Sequence, residues 1–226
     1  LSKPEKVTTP KVEFIYPKLA VPDTKYNDNG EYSVKFALDE EEAEKLRAHL
    51  SEHMDEAREL GEERFAALKP AQRKKLGELT INEVGEEEYD DDESLTGRVL
   101  FRCKAIASGV SKKTGKPWTR KIRMFDPRGK VLQNVNPWSG TVGRICFKPR
   151  AYWSAAVGAC GVTFYIETVQ ILELASGGAG FGDSGFEDED GYEAIEDGVE
   201  ETATETDGAD SNDTPDDDDG DDNPDF

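Results

Sequence analysis

Two histidines give the chain its most explicit hint of catalysis. His49-Leu-Ser-Glu-His53 spells H-x-x-E-H, in which two imidazoles one helical turn apart could hold a zinc ion, as in a zinc hydrolase. They are the only histidines in the chain, so the third ligand would have to be one of many carboxylates. A charged amphipathic helix with two histidines on its exposed face accounts for the same string. Gly109…Gly115-Lys116 resembles a phosphate loop, but five residues separate the glycines where four are needed. Pro117 also stands where Ser or Thr is required. Gly180-Phe-Gly182-Asp-Ser-Gly185 spells G-x-G-x-x-G, yet an acidic run follows it instead of a helix with an apolar face. It reads as a linker. No Ser, Cys or Lys sits in a recognisable nucleophile setting, so no enzyme activity and no cofactor are expected.

A different chemistry is written into the basic stretch. Arg102, Lys104, Lys112, Lys113, Lys116, Arg120, Lys121 and Arg123 surround Trp118, and Lys148 and Arg150 lead into Tyr152 and Trp153. Alternation along a strand would put Trp118, Arg120 and Ile122 on one side and Lys121 and Arg123 on the other. Both sides cannot be core, so one meets solvent or a ligand. Cations that track phosphates, with aromatic rings on which bases stack, are how proteins hold single-stranded nucleic acid. The plainer account makes Trp118, Trp138 and Trp153 core residues and the basic side chains a soluble surface.

Net charge argues against such a partner. The chain has 226 residues and a formal charge of −21. From Ser176 to Phe226 there are 21 acidic residues and no basic one, so the remainder is formally neutral. Residues 39–94 carry 20 acids against 8 bases, whereas 97–150 carry 14 Lys and Arg against Asp126 alone. Blocks of opposite sign describe the chain better than its total. Residues 187–226 are too acidic and too poor in apolar side chains to bury a core, and are expected to be disordered. That tail ends with Asp216, Asp217, Asp218, Asp219, Asp221, Asp222, Asp225 and a terminal Phe226. Its carboxylates would steer it toward a basic patch, where Phe226 could fill a pocket as a rigid apolar anchor.

These residues need a scaffold. Residues 1–11 read as a loose arm, 12–175 as one folded domain, 176–186 as a Gly-rich linker and 187–226 as the tail. Val12–Tyr16 reads as a strand stopped by Pro17, and Pro22–Gly30 as a turn. Tyr32, Val34, Phe36 and Leu38 alternate strictly, which predicts a half-buried strand over 31–38. Asp39 stands as N-cap of a helical insertion over about 39–78, with Ala43, Leu46, Leu50, Met54 and Ala57 on one face. Pro70 interrupts it before a short helix reaching Leu76. An acidic loop is expected over 83–94. Strands are expected at 99–107, 118–125, 129–133, 141–148 and 162–174, with a basic hairpin loop over 108–117 and a tight turn over 126–129. In the last strand the apolar phase shifts between Phe164/Ile166 and Val169/Ile171, which indicates a bulge.

Five to seven short strands with one helical segment predict a mainly β fold, a small antiparallel barrel of the OB type. Cys103, Cys146 and Cys160 are widely spaced in apolar settings and read as buried free thiols of a reducing cytoplasm. No run is long enough for a membrane span. No signal peptide is visible, and a start at Leu1 is compatible with a trimmed N-terminus.

The chain resembles the single-stranded DNA-binding proteins of T7-type bacteriophages. The resemblance rests on Gly30-Glu-Tyr-Ser-Val-Lys-Phe-Ala-Leu38, on Phe101-Arg-Cys-Lys-Ala with Lys112-Lys-Thr and Asp126-Pro-Arg-Gly-Lys130, and on the acidic end closing in Asp225-Phe226. The most specific stretch is Trp153-Ser-Ala-Ala-Val-Gly-Ala159 followed by Val169-Gln-Ile-Leu-Glu-Leu-Ala175. It implies an OB-type barrel that coats single-stranded DNA in phage replication, recombination and repair within the cytoplasm of an infected bacterium. It also implies a tail that docks on the replicative DNA polymerase and the helicase–primase, and homodimers when DNA is absent. Where the family has an aromatic just before the Trp segment, this chain has Arg150-Ala-Tyr152, and Tyr152 is taken as the stacking residue. The competing classes are an acidic-tailed chaperone or nucleic-acid mimic and the zinc hydrolase.

Overall fold

The computed structural model describes residues 6–90 and 92–175. The expected linker and acidic tail, with Phe226 and the G-x-G-x-x-G string, lie outside the described residues, as do positions 1–5 of the arm. In chain order the strands and helices are β1 (Val7–Thr8), β2 (Val12–Glu13), β3 (Ile15–Asp23), β4 (Glu31–Asp39), α1 (Glu40–His49), α2 (Ser51–Ala67) and α3 (Pro70–Leu76). Then come β5 (Thr80–Ile81), β6 (Glu86–Tyr89), β7 (Leu95–Ile106), β8 (Ser108–Val110), β9 (Pro117–Thr119), β10 (Arg123–Phe125), β11 (Val131–Leu132), β12 (Val142–Ser154) and β13 (Ala159–Glu173).

The main sheet runs β1-β12-β13-β7-β4-β3 and curls on itself. One bent segment joins its two ends. Val12 and Glu13 pair with β12, and after the bend β3 pairs with β4. At the bend Phe14 is wholly buried, its N–H donates to the Thr141 carbonyl, and Tyr16 adopts a φ of +48° that non-glycine residues rarely occupy. The expected stop at Pro17 is therefore a change of partner. Pro17 and Pro22 are tolerated because β3 is an edge strand that meets β4 at only three positions.

The mainly β reading holds, with one refinement in pairing. β12 and β13 form a long antiparallel hairpin, but the far edge of β13 is lined in series by β5, β7 and β10, all parallel to it. The apolar halves of the alternating strands meet inside. Phe36, Phe101, Phe164 and Phe147, from β4, β7, β13 and β12, form a row of stacked rings with centroid spacings of 5.4, 6.3 and 4.3 Å. Each such aromatic pair adds about 0.5–1.5 kcal/mol beyond area burial. The bulge falls at Glu167, because Cys146 pairs with Thr168 while Phe147 pairs with Ile166. The three cysteines are free, and burial pushes the Cys103 thiol well above its ordinary value.

Asp39 caps α1, its Oδ1 accepting the Glu42 N–H at 2.8 Å. We expect Asp39→Ala to lower stability by about 1 kcal/mol, read as a shift in the urea midpoint. The single helix expected over 40–69 breaks at Leu50, which is buried and separates α1 from α2. Ala43, Leu50 and Ala57 face inward as the spacing predicts. Gly61 lets α2 approach β13 closely, since a Cβ there would collide with the Cys160 side chain.

Three further expectations change. The acidic loop over 83–94 contains β6, which pairs with β7 while the Glu88 carboxylate takes two hydrogen bonds from Arg98, at 2.6 and 2.8 Å. Once Glu88 has that partner, an acidic sequence can serve as an outer strand. The strand expected over 118–125 is split, because β9 pairs with β8 and β10 with β13. The strand expected over 141–148 runs on to Ser154, through Pro149.

Candidate functional site

Alternation turns one set of side chains to the outside of the barrel. On β12, positions 144, 146, 148, 150 and 152 face outward while Ile145, Phe147 and Pro149 are buried. On β7, Arg102 and Lys104 alternate with buried Phe101, Cys103 and Ala105. Cross-strand register places directly opposed residues on the same face. Ser33 opposes Lys104, Lys104 opposes Tyr165, and Tyr165 opposes Lys148, so one row crosses β4, β7, β13 and β12. Beside it, Lys35 opposes Arg102, Arg150 opposes Thr163, and Tyr152 opposes Gly161. Arg123 opposes Thr168, which in turn opposes Cys146.

The contacts in this face are specific. The Arg150 guanidinium lies 5.3 Å from the centroid of the Tyr165 ring. The Tyr152 hydroxyl accepts from Asn82 Nδ2 at 2.6 Å. Tyr152 also rests on Gly161, where a Cβ would come within 3.1 Å of its ring. Arg102 Nη2 meets Glu31 at 2.7 Å. Lys148 and Lys6 each lie 3.1 Å from Glu167. Burial pushes the Glu167 carboxyl up, but hydrogen bonds from Lys148 and Lys6 outweigh it and hold the group below its ordinary value. A lowered folded-state value stabilises the fold above the unfolded carboxylate value, and that gain is lost as pH falls through the folded value. We expect the stability difference between the native chain and Glu167→Gln to vanish toward acid pH, measured by urea melts across a pH series.

A second cluster stands on the β8–β9 hairpin that follows β7. Trp118 opposes Gly109 and lies on it, with the Arg120 guanidinium 5.6 Å from its ring centroid. The base of the hairpin is tied down: Arg120 N–H donates to the Ala107 carbonyl at 2.7 Å, and the Tyr32 hydroxyl donates to the Arg120 carbonyl at 3.1 Å. Lys112, Lys113 and Lys116 are exposed at its turn, and Lys121 is exposed in the connection to β10.

The structure thus gathers Arg102, Lys104, Arg123, Lys148, Arg150 and Tyr152 on one outer face and mounts Lys112, Lys113, Lys116, Trp118 and Arg120 on the hairpin. Trp153 is turned the other way, edge-on to Phe65 of α2 at 6.3 Å. Tyr165, Lys35, Lys6 and Glu167 belong to the face and are missed by sequence reasoning. Tyr165 had a signal, since it stands between inward-facing Phe164 and Ile166. His49 and His53 fall on α1 and α2, and no group of three or more His, Cys, Asp or Glu able to hold a metal occurs among the described residues. No helix among them is long and apolar enough to cross a membrane.

A family model described as the single-stranded DNA-binding protein of bacteriophage T7 matches residues 12–174. Among solved structures, that of gp2.5, a single-stranded DNA-binding protein encoded by bacteriophage T7, is 22% identical with a TM-score of 0.57, covering 85% of this chain and all (100%) of that one. The single-stranded DNA-binding protein of bacteriophage Enc34 in complex with ssDNA is 10% identical with a TM-score of 0.46, covering 76% of this chain and 88% of that one. No curated protein sequence matches the chain.

Proposed function

This chain belongs to the family of the bacteriophage T7 single-stranded DNA-binding protein, and from that membership we propose that its outer barrel face holds single-stranded DNA. The family consists of DNA-binding proteins, not enzymes, so the face has a strand to hold and no bond to break. The observation that carries the reading is the row Ser33–Lys104–Tyr165–Lys148, in which cation, aromatic ring and cation follow one another across β7, β13 and β12, with a small polar side chain at the β4 end. Lys104, Lys148, Arg150 and Arg123 track phosphates, while Tyr165 and Tyr152 offer ring faces to successive bases. The hairpin adds Lys112, Lys113, Lys116 and Trp118 beside the groove. Because phosphate contacts carry no base identity, binding is independent of sequence and falls steeply with salt.

The same proposal extends to the cell and to the tail. The protein coats and protects single strands during phage replication, recombination and repair in the cytoplasm of the infected host. Residues 187–226 compete with DNA for the basic face, and their release presents Asp216–Asp219, Asp221, Asp222, Asp225 and Phe226 to the replicative polymerase and the helicase–primase. Without DNA, the chain pairs as a homodimer. A titration of fluorescent oligothymidylate, read by tryptophan quenching, tests the reading. Saturable binding is expected, tighter and more salt-sensitive after deletion of 187–226. A chain that ignores the oligonucleotide at low salt while its tail binds basic proteins is a chaperone or mimic instead.

A further inference from the structure

A carboxylate in the middle of a phosphate-binding face is an unfavourable place for negative charge, and Glu167 sits there. It is the extra residue of the bulge in β13, beside outward-facing Lys148 and the end of the N-terminal segment. One carboxylate oxygen lies 3.1 Å from Lys148 Nζ and the other 3.1 Å from Lys6 Nζ. The Lys148 and Glu167 side chains are mostly buried, at 16% and 20% exposure, so this pair is screened less than an ordinary surface pair. The arm that brings Lys6 is itself fixed. Val7 and Thr8 pair with β12, and buried Thr9 accepts the Ile145 N–H through its hydroxyl at 3.0 Å. Two ammonium groups are thereby fastened around one anion.

Resting on the reading of this face as the single-stranded DNA site, we propose that Glu167 is a resident competitor for DNA phosphate. Its carboxylate occupies an anion subsite between Lys6 and Lys148 that a phosphodiester of the bound strand takes over. In the free protein both lysines share the one Glu167 carboxylate, which offsets one of their two charges, and on binding they must exchange it for the strand. The device weakens affinity and lowers the salt slope. A coat that polymerases must displace gains a faster release from it. Lys104, on the same row, has no carboxylate within ion-pair distance among the described residues and pays no such exchange.

The test uses the full chain and oligothymidylate over a salt series. Glu167→Gln removes the competing charge while keeping the shape. It is expected to bind about tenfold tighter at low salt and to steepen the slope of log K against log salt by about 0.7–1.4, one or two more lysine contacts on a single strand. Equal or weaker binding overturns the proposal, because a carboxylate that only pins the arm would give that result. Should Glu167→Gln fail to fold, Lys148→Ala and Lys104→Ala decide. The Lys148 change is expected to cost several-fold less affinity than the Lys104 change, since Lys148 already has a partner, and an equal or greater cost overturns the idea. Native affinity in Lys104→Ala would remove the face itself as the binding site, which separates failure of that reading from failure of this one.

Discussion

Tyr165→Ala is expected to lower affinity for single-stranded DNA by about 1–3 kcal/mol, roughly five- to 150-fold, the range measured for loss of a base-stacking ring. The reason is position. Tyr165 stands at the crossing of the β7, β12 and β13 rows, opposite both Lys104 and Lys148, with the Arg150 guanidinium against its ring. Its removal deletes a stacking surface and also frees Arg150 from the side chain that orients it. Tyr165→Phe keeps the ring and should bind within about threefold of the native chain. Trp153 makes the natural contrast. Its indole meets Phe65 on the helical side, so Trp153→Ala should lower thermal stability far more than DNA affinity. Oligothymidylate titrations and thermal melts of the same three variants separate the roles. A normal affinity in Tyr165→Ala would remove that ring from the site.

The second large effect concerns the scaffold. Phe14→Ala should cost about 3–5 kcal/mol of stability, the usual result of emptying a site filled by a fully buried phenyl ring. Phe14 sits where the chain leaves β12 for β4, and backbone bonds to Thr141 and Gly140 hold it there. Its ring fills the space beside Gly143, where a Cβ would come within 2.7 Å of the phenyl edge. The cavity therefore opens at the seam that closes the barrel and leaves little scope for collapse. Urea denaturation checks this, and a loss under about 1 kcal/mol would mean that the seam is not packed as described. A conservative Phe14→Leu should fall between.

Local signals made parts of this molecule legible. Strict alternation marked β4, Asp39 announced α1, and the phase change in the last strand located the bulge that places Glu167. What escaped depends on partners distant in sequence. Glu86-Glu-Glu-Tyr89 looks like a solvated loop until Arg98 is placed beside Glu88. Lys148-Pro-Arg150 looks like the end of a strand until β13 pairs with all of it. Leu50 falls on the apolar helical face whether or not the helix breaks there. For the site, composition found the basic and aromatic residue types, but register alone brings Lys35, Arg102, Lys104, Tyr165 and Lys148 together from four strands. Trp153 shows the converse, because adjacency to Tyr152 in sequence puts it on the opposite face of β12.

The central claim is that the outer face of the barrel holds the strand through its cations. The most direct measurement compares salt dependence of oligothymidylate binding in the native chain and in Lys104→Ala/Arg123→Ala/Arg150→Ala. Loss of three phosphate contacts should reduce the slope of log K against log salt by about 2 and weaken binding most at low salt. A folded triple variant whose slope and affinity match the native chain would contradict the account, and would place the strand elsewhere on the molecule.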